Sequence, residues 1–240
     1  MKNWRRIQLL LMFLLLPALL NYFSPYLVID GATHGIATGA FVIWSLMFIL
    51  SLFAGRIFCS YVCPYGGLQE AIDKTINKPL KEIKWLRTFK LGLGMVWVAI
   101  FIYVLLLQGG FSSFNFFYLT ENIVSVDHWS HLLMYYIIII GIGILPFILG
   151  KRASCHYLCP MSILNIVGTK FKNHMPYPSL RLVARSSTCS GCKQCNKACP
   201  MSIDVLEMVK KNNTNNMECI LCGECTRACK TGSIQCKFTN

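Results

Sequence analysis

Four long apolar runs divide the chain, at residues 7–23, 36–53, 91–107 and 132–149. Each is close to the length that carries an α-helix across about 30 Å of hydrocarbon. They hold almost no charge, which favours spanning helices over the buried helices of a soluble core. Two shorter stretches repeat apolar positions at helical spacing, Leu68, Ile72 and Ile76 in one and Ile163, Ile166 and Val167 in the other. Each predicts an amphipathic helix. The pattern predicts a membrane domain of two helical hairpins over residues 1–169, a linker over 170–186 that lies along the membrane face, and a small domain over 187–240. Pro17 predicts a bend in the first helix. Gly35 and Gly39 predict close helix packing at the start of the second. Tyr22, Phe23 and Tyr26 predict an aromatic belt at the outer interface.

Composition sharpens this picture. The chain is 55% hydrophobic, yet its net charge is +13. A greasy, basic chain fits a membrane protein with a positive cytoplasmic face better than a nucleic-acid binder. Lys2, Arg5 and Arg6 precede the first run; Arg56, Lys74, Lys78, Lys81, Lys84, Arg87 and Lys90 separate the second from the third; Lys151 and Arg152 follow the fourth. Residues 24–35 and 108–131 contain no lysine or arginine. The positive-inside rule then predicts a multi-pass protein of the inner (cytoplasmic) membrane with both termini in the cytoplasm. The first run lacks a convincing small-x-small cleavage site and is expected to stay as a helix rather than leave as a signal peptide. Residues 74–90, with Trp85 among the charges, suit lipid headgroups or an acidic electron carrier. On the outer side Asp30, His34, Glu121, Asp127, His128 and His131 are the titratable candidates, with metal ligation or proton exchange with a quinone as the sharper roles and plain solvation as the ordinary one.

The strongest chemistry is carried by cysteine, of which there are 13. Cys189, Cys192, Cys195 and Cys199 form one C-x2-C-x2-C-x3-C run, and Cys219, Cys222, Cys225 and Cys229 form a second. That spacing suits three corners of one iron–sulfur cube, with the fourth thiolate crossing to the other cluster. Cluster I is thus expected on Cys189, Cys192, Cys195 and Cys229, and cluster II on Cys219, Cys222, Cys225 and Cys199. A zinc site needs only four ligands, and a disulfide framework does not suit a reducing compartment. Lys230 stands where proline often follows the last cysteine. Cys236 lies outside every set and is expected to be a packed thiol.

An internal repeat supplies four more cysteines. Gly55 and Arg56 lead into Cys59, Tyr61, Cys63 and Pro64; Lys151 and Arg152 lead into Cys155, Tyr157, Cys159 and Pro160. Two hairpins related by an axis along the membrane normal would bring Cys59, Cys63, Cys155 and Cys159 together near the inner surface. Pro64 and Pro160 suit helix starts, which would place Cys63 and Cys159 at helix N-termini and lower their thiol pKa. A third metal centre, reversible thiol chemistry and inert packed thiols all fit these four residues.

The two C-x2-C-x2-C-x3-C runs resemble bacterial ferredoxins with two four-iron clusters, which implies a small α+β domain with short extended pieces near residues 201–206 and 231–238. The whole pattern, with its two Cys-x3-Cys-Pro elements, resembles the NapH/NosR-type membrane ferredoxins. That resemblance implies two [4Fe-4S] clusters and an electron-transfer subunit of a larger oxidoreductase rather than a stand-alone enzyme. It also implies a membrane setting in anaerobic respiration, with a quinone and a redox protein as partners. Nothing precedes the first helix and the chain stops soon after Cys229, so the flavin domain of larger relatives is not expected. A membrane copper reductase or maturation factor is the alternative reading, and a purely structural scaffold is the third.

Overall fold

The computed structural model describes residues 4–76, 78–120, 125 and 129–239, the side chains of 129–131 excepted. The first apolar run does not form one helix. It gives α1 (Trp4–Leu14) and a single turn, α2 (Leu16–Leu19), parted at Leu15. Pro17 sits in the first turn of α2, where its missing N–H is harmless, whereas a continuous helix would meet its ring. Next come α3 (Pro25–Thr33), β1 (Ile36–Thr38) and α4 (Gly39–Ala54). The short α5 (Ile57–Tyr61) leads into α6 (Pro64–Ile76), and α7 (Lys84–Leu107) runs out to β2 (Ser113–Asn115), which pairs in parallel with β1. The second half repeats the first with α8 (Trp129–Leu149), the short α9 (Ala153–Tyr157) and α10 (Met161–His174).

Four spanning helices were expected; among the described residues two are long and apolar enough to cross a membrane, Lys84–Leu107 and Leu132–Leu149. The first run is broken at Leu15. The second loses residues 36–38 to β1, leaving α4 with 16 residues, about 24 Å of rise against about 30 Å of hydrocarbon. The two long helices bury little of themselves, and Ile100, Tyr103, Leu106, Leu133, Ile137 and Ile140 face outward. So much unburied apolar surface gives the chain its membrane character.

Three smaller expectations change as well. Tyr22 and Phe23 are buried, leaving Tyr26 exposed, because the turn at Asn21–Phe23 folds them against α4 and the segment after β2. Gly39 serves no helix–helix contact: a β-carbon there would strike the carbonyl of Phe116. Residues 170–186 are not a free linker, since they hold the end of α10 and the strand β3 (Ser179–Ala184).

The small domain follows. It contains α11 (Gln194–Ala198), α12 (Val205–Lys210), α13 (Glu224–Ala228) and β4 (Ile234–Thr239), and β4 closes on β3 in antiparallel register from Ser179↔Thr239 to Ala184↔Ile234. The stretch 201–206 turns into α12 instead of staying extended, because Asp204 caps the helix by accepting from the Glu207 N–H at 3.0 Å. Its core of Leu182, Met201, Val205, Leu206, Val209, Ile220, Leu221 and Ile234 also takes in Cys59. The second core, which includes Phe23, Trp44, Met47, Phe58 and Met161, takes in Cys63. The first Cys-x3-Cys-Pro element therefore straddles the joint between the two cores.

The two repeats exchange their motif helices. α6 packs on α8, and α10 packs on α4. α1 lies along α6, where Gly67 lets the backbone of Leu9 approach. Gly67→Ala is expected to lower the thermal midpoint in detergent, through overpacking of about 1–3 kcal/mol. Gly92→Ala, with nothing within 4 Å of its β-carbon, should leave the midpoint unchanged or slightly raised. Equal midpoints for Gly67→Ala and wild type would contradict the close seating of α1.

Candidate functional site

Each Cys-x3-Cys-Pro element folds by the same local rules. A positive-φ glycine ends the preceding apolar helix, with φ of 57° at Gly55 and 99° at Gly150, a region open to glycine at little steric cost. The chain then makes one five-residue helix, and the second cysteine closes it by donating its N–H back to the start. Cys63 reaches the Phe58 carbonyl at 3.0 Å, and Cys159 the Ser154 carbonyl at 2.9 Å. The side chain six residues beyond each second cysteine crosses to the first cysteine of the other repeat. Gln69 Nε2 donates to Cys155 Sγ at 3.1 Å, and Asn165 Nδ2 lies 3.9 Å from Cys59 Sγ. Gln69 and Asn165 carry no motif by themselves; their equal offset within the repeat was the signal available in the sequence.

Cys59, Cys63, Cys155 and Cys159 all line one cavity of about 350 Å³, whose other walls include Phe58, Tyr65 and Ile138. The thiols lie deep. Burial, then the neighbouring Cys155 and Cys59, pushes the Cys159 thiol up to about 12, and burial raises Cys63 and Cys155 as well. This corrects the expectation that helix N-termini hold Cys63 and Cys159 as thiolates: desolvation outweighs the helix. Alone, Cys63, Cys155 and Cys159 are held as neutral thiols; a bound metal deprotonates a coordinating thiol outright. Among the described residues no group of three or more His, Cys, Asp or Glu converges tightly enough for one metal ion. The third metal centre expected on the quartet thus lacks the geometry of a single-ion site.

Buried charge surrounds the cavity. Arg152 is fully buried in the left-handed conformation, donating to the Cys59 carbonyl at 3.0 Å and to Glu70 at 2.7 Å. Arg5, also buried, joins Glu70 at 2.9 Å to Glu224 of α13 at 2.9 Å. Arg56 is fully buried against Glu218, which precedes Cys219 and also faces Lys90 at 3.8 Å and His156 at 3.7 Å. Burial opposes the Glu218 charge, but Arg56 and Lys90 outweigh it and hold the carboxyl at about 2. Burial keeps His156 neutral, down to about 3. Several residues expected to mark the positive face therefore point inward: Arg5, Arg56, Lys90 and Arg152 are internal partners of carboxylates.

The remaining cysteines form two rings. Cys189, Cys192, Cys195 and Cys229 line one small cavity, and Cys199, Cys219, Cys222 and Cys225 line another. The first ring opens to solvent at Cys192; the second has Cys199, Cys222 and Cys225 buried, with Cys222 raised by burial to about 11. Cys236 lies in β4, its Sγ 3.7 Å from the Thr226 hydroxyl. At the far end, half-buried Tyr118 donates to Asp30 at 3.0 Å and lies 3.3 Å from Nδ1 of the exposed His34. Glu121, Asp127, His128 and the His131 side chain lie outside the described residues.

Comparison with known proteins agrees with this division. A family described as a 4Fe-4S binding domain matches residues 36–87 and 132–176, one stretch around each Cys-x3-Cys-Pro element. A family described as a 4Fe-4S dicluster domain matches residues 188–234. The protein YccM of Escherichia coli, named for electron transport, is 24% identical, over 87% of this chain and 58% of its own. The methylamine utilization ferredoxin-type protein MauN of Methylobacillus flagellatus is 26% identical, over 78% of this chain and 64% of its own. An uncharacterized protein of Methanocaldococcus jannaschii is 26% identical, over 78% of this chain and 66% of its own. In each case the match spans less than two thirds of the relative. No solved structure matches. The chain thus joins a 4Fe-4S dicluster domain to a part with apolar helices that itself matches a 4Fe-4S binding domain.

The ion pairs give a direct stability test. Glu70→Ala strands Arg152 as a buried charge, and such losses cost about 3–5 kcal/mol. A large drop in thermal midpoint is expected, against little change for Glu207→Ala, whose partner Lys211 is exposed. Similar small shifts in both variants would contradict the structural weight placed on Glu70.

Proposed function

We propose that this chain is an electron-transfer subunit of the NapH/NosR type, serving a larger oxidoreductase between a membrane redox partner and a soluble one. The observation that carries the reading is the position of the quartet cavity. It opens among apolar side chains of the membrane domain, while Cys59 on its wall is packed in the core of the ferredoxin domain.

In this reading Cys189, Cys192, Cys195 and Cys229 hold one [4Fe-4S] cluster, and Cys219, Cys222, Cys225 and Cys199 hold the other. The two cysteine rings and the dicluster match support that ligand set. Cys59, Cys63, Cys155 and Cys159 hold a third iron–sulfur centre. The cavity volume, the all-thiol donor set, the buried arginines and the 4Fe-4S binding domain match on both elements support it. Bound at these sites, such clusters supply one-electron redox chemistry at potentials set by local charge and hydrogen bonds. The protein's own work is to orient the thiols, through Gln69 and Asn165, and to keep water from the quartet with Phe58, Tyr65 and Ile138. It also leaves the ring around Cys192 open to a soluble partner.

A quinone is the membrane partner we assign, because the cavity walls are apolar and reached from between helices. The motif end and both termini lie in the cytoplasm, the side where Lys74, Lys78, Lys81, Lys84 and Lys151 gather.

Iron per chain, measured on protein purified without oxygen, tests the reading. About twelve irons are expected for three four-iron centres, with Cys159→Ser losing about four and leaving the ferredoxin spectrum intact. About eight irons in wild type would remove the quartet centre. Little iron in folded protein would overturn the electron-transfer reading itself.

A further inference from the structure

The two repeats share more than cysteines. Arg56 and Arg152 each stand three residues before the first cysteine of their element, and both are fully buried. Neither guanidinium is fully engaged. Arg56 lines the quartet cavity, yet among the described residues its Nε and Nη2 have no acceptor, and Arg152 Nε has none either. Unpaired buried donors of this kind are costly, more so when charged. Two features further suggest that their acceptor belongs to what the cavity holds. Glu218 takes one part of the Arg56 guanidinium, whereas Glu70 and the Cys59 carbonyl take the two terminal nitrogens of Arg152 and leave its Nε. The charges also sit beside the quartet: Arg56 shares the cavity wall with Cys59 and Cys155, and Arg152 holds the Cys59 carbonyl.

We propose that Arg56 and Arg152 are the fixed counter-charge of the quartet site, Arg56 donating N–H groups to an anionic metal–sulfur group there and Arg152 acting from behind its wall through the Cys59 carbonyl it holds, and that both favour the group's reduced form. This rests on the reading of the quartet as a third centre. Four thiolates bring four negative charges into a cavity with apolar walls, and buried charge persists only when it is paired. One-electron reduction, by dithionite in the test, adds one more negative charge and moves no proton at the arginines, which stay charged throughout. A guanidinium is suited to this position, because it offers several donors in a fixed plane and holds its charge when buried. Both act on the centre through charge and hydrogen bonding, and neither takes up or gives the electron.

The test compares wild type, Arg56→Gln and Arg56→Lys, purified without oxygen, by iron content and by a redox titration followed by electron paramagnetic resonance. Lys90, Arg87 and His156 still face Glu218 in both variants, so the fold has other partners for that carboxylate. The expected result is unchanged iron in all three proteins. One centre in Arg56→Gln should move to a more negative potential, Arg56→Lys should recover part of that shift, and the solvent-open ferredoxin centre should not move. Identical potentials in Arg56→Gln and wild type, at full iron content, would overturn the proposal. So would equal loss of iron in both variants, which marks a purely structural role. A wild type with only eight irons would instead remove the third centre on which the proposal stands, so the two failures are told apart.

Discussion

Charge buried in an apolar, basic chain is the constraint on which the rest of this structure depends. The chain has 23 lysines and arginines against 10 acidic residues, and its main internal carboxylates are shared. Glu70 serves Arg5 and Arg152; Glu218 serves Arg56 and Lys90; Glu224 ties Arg5 to the ferredoxin domain. Replacing such pairs with apolar residues is often neutral or stabilising, so bulk stability is a poor reason for their presence. What they do here is fix registration. The membrane helices and the ferredoxin domain meet through these groups, and the pairs leave little freedom in how one seats on the other. The same residues surround the cysteines from which electrons would pass.

The repeat works within this frame. Because α6 packs on α8 and α10 on α4, neither hairpin completes its own site. Gln69 reaches a cysteine of the second element and Asn165 approaches one of the first. A cavity built by exchange in this way needs both halves in place, and it sits where the two hydrophobic cores meet. Solvent access then falls off in one direction. Cys192 is exposed, the second ferredoxin ring is mostly buried, and the quartet is closed in among helices.

Much of this was legible in the chain. Cysteine spacing carries the division into two rings and a quartet, because ligand geometry ties sequence distance to shape. Helical spacing located α6 and α10, and hydropathy located α7 and α8. The failures have physical causes. Hydropathy counts apolar residues but does not see that Pro17 divides the first run, or that residues 36–38 pair with 113–115 instead of starting a helix. The positive-inside rule counts Arg5, Arg56, Lys90 and Arg152 as surface charge; their carboxylate partners lie 65 or more positions away along the chain, beyond any local pattern. Gln69, Asn165, Glu70 and Glu218 were missed for the same reason. The repeat offset could have exposed the first two, and nothing local marks the others.

The central claim is that the quartet and the ferredoxin domain form one electronic unit, held together by buried ion pairs. The most direct measurement is the electron paramagnetic resonance spectrum of fully reduced protein beside that of Cys159→Ser. The account predicts a wild-type spectrum broadened or split by spin interaction between neighbouring centres, with that feature simplified in the variant to the signal of the ferredoxin pair. A wild-type spectrum identical in shape to that of Cys159→Ser would contradict it.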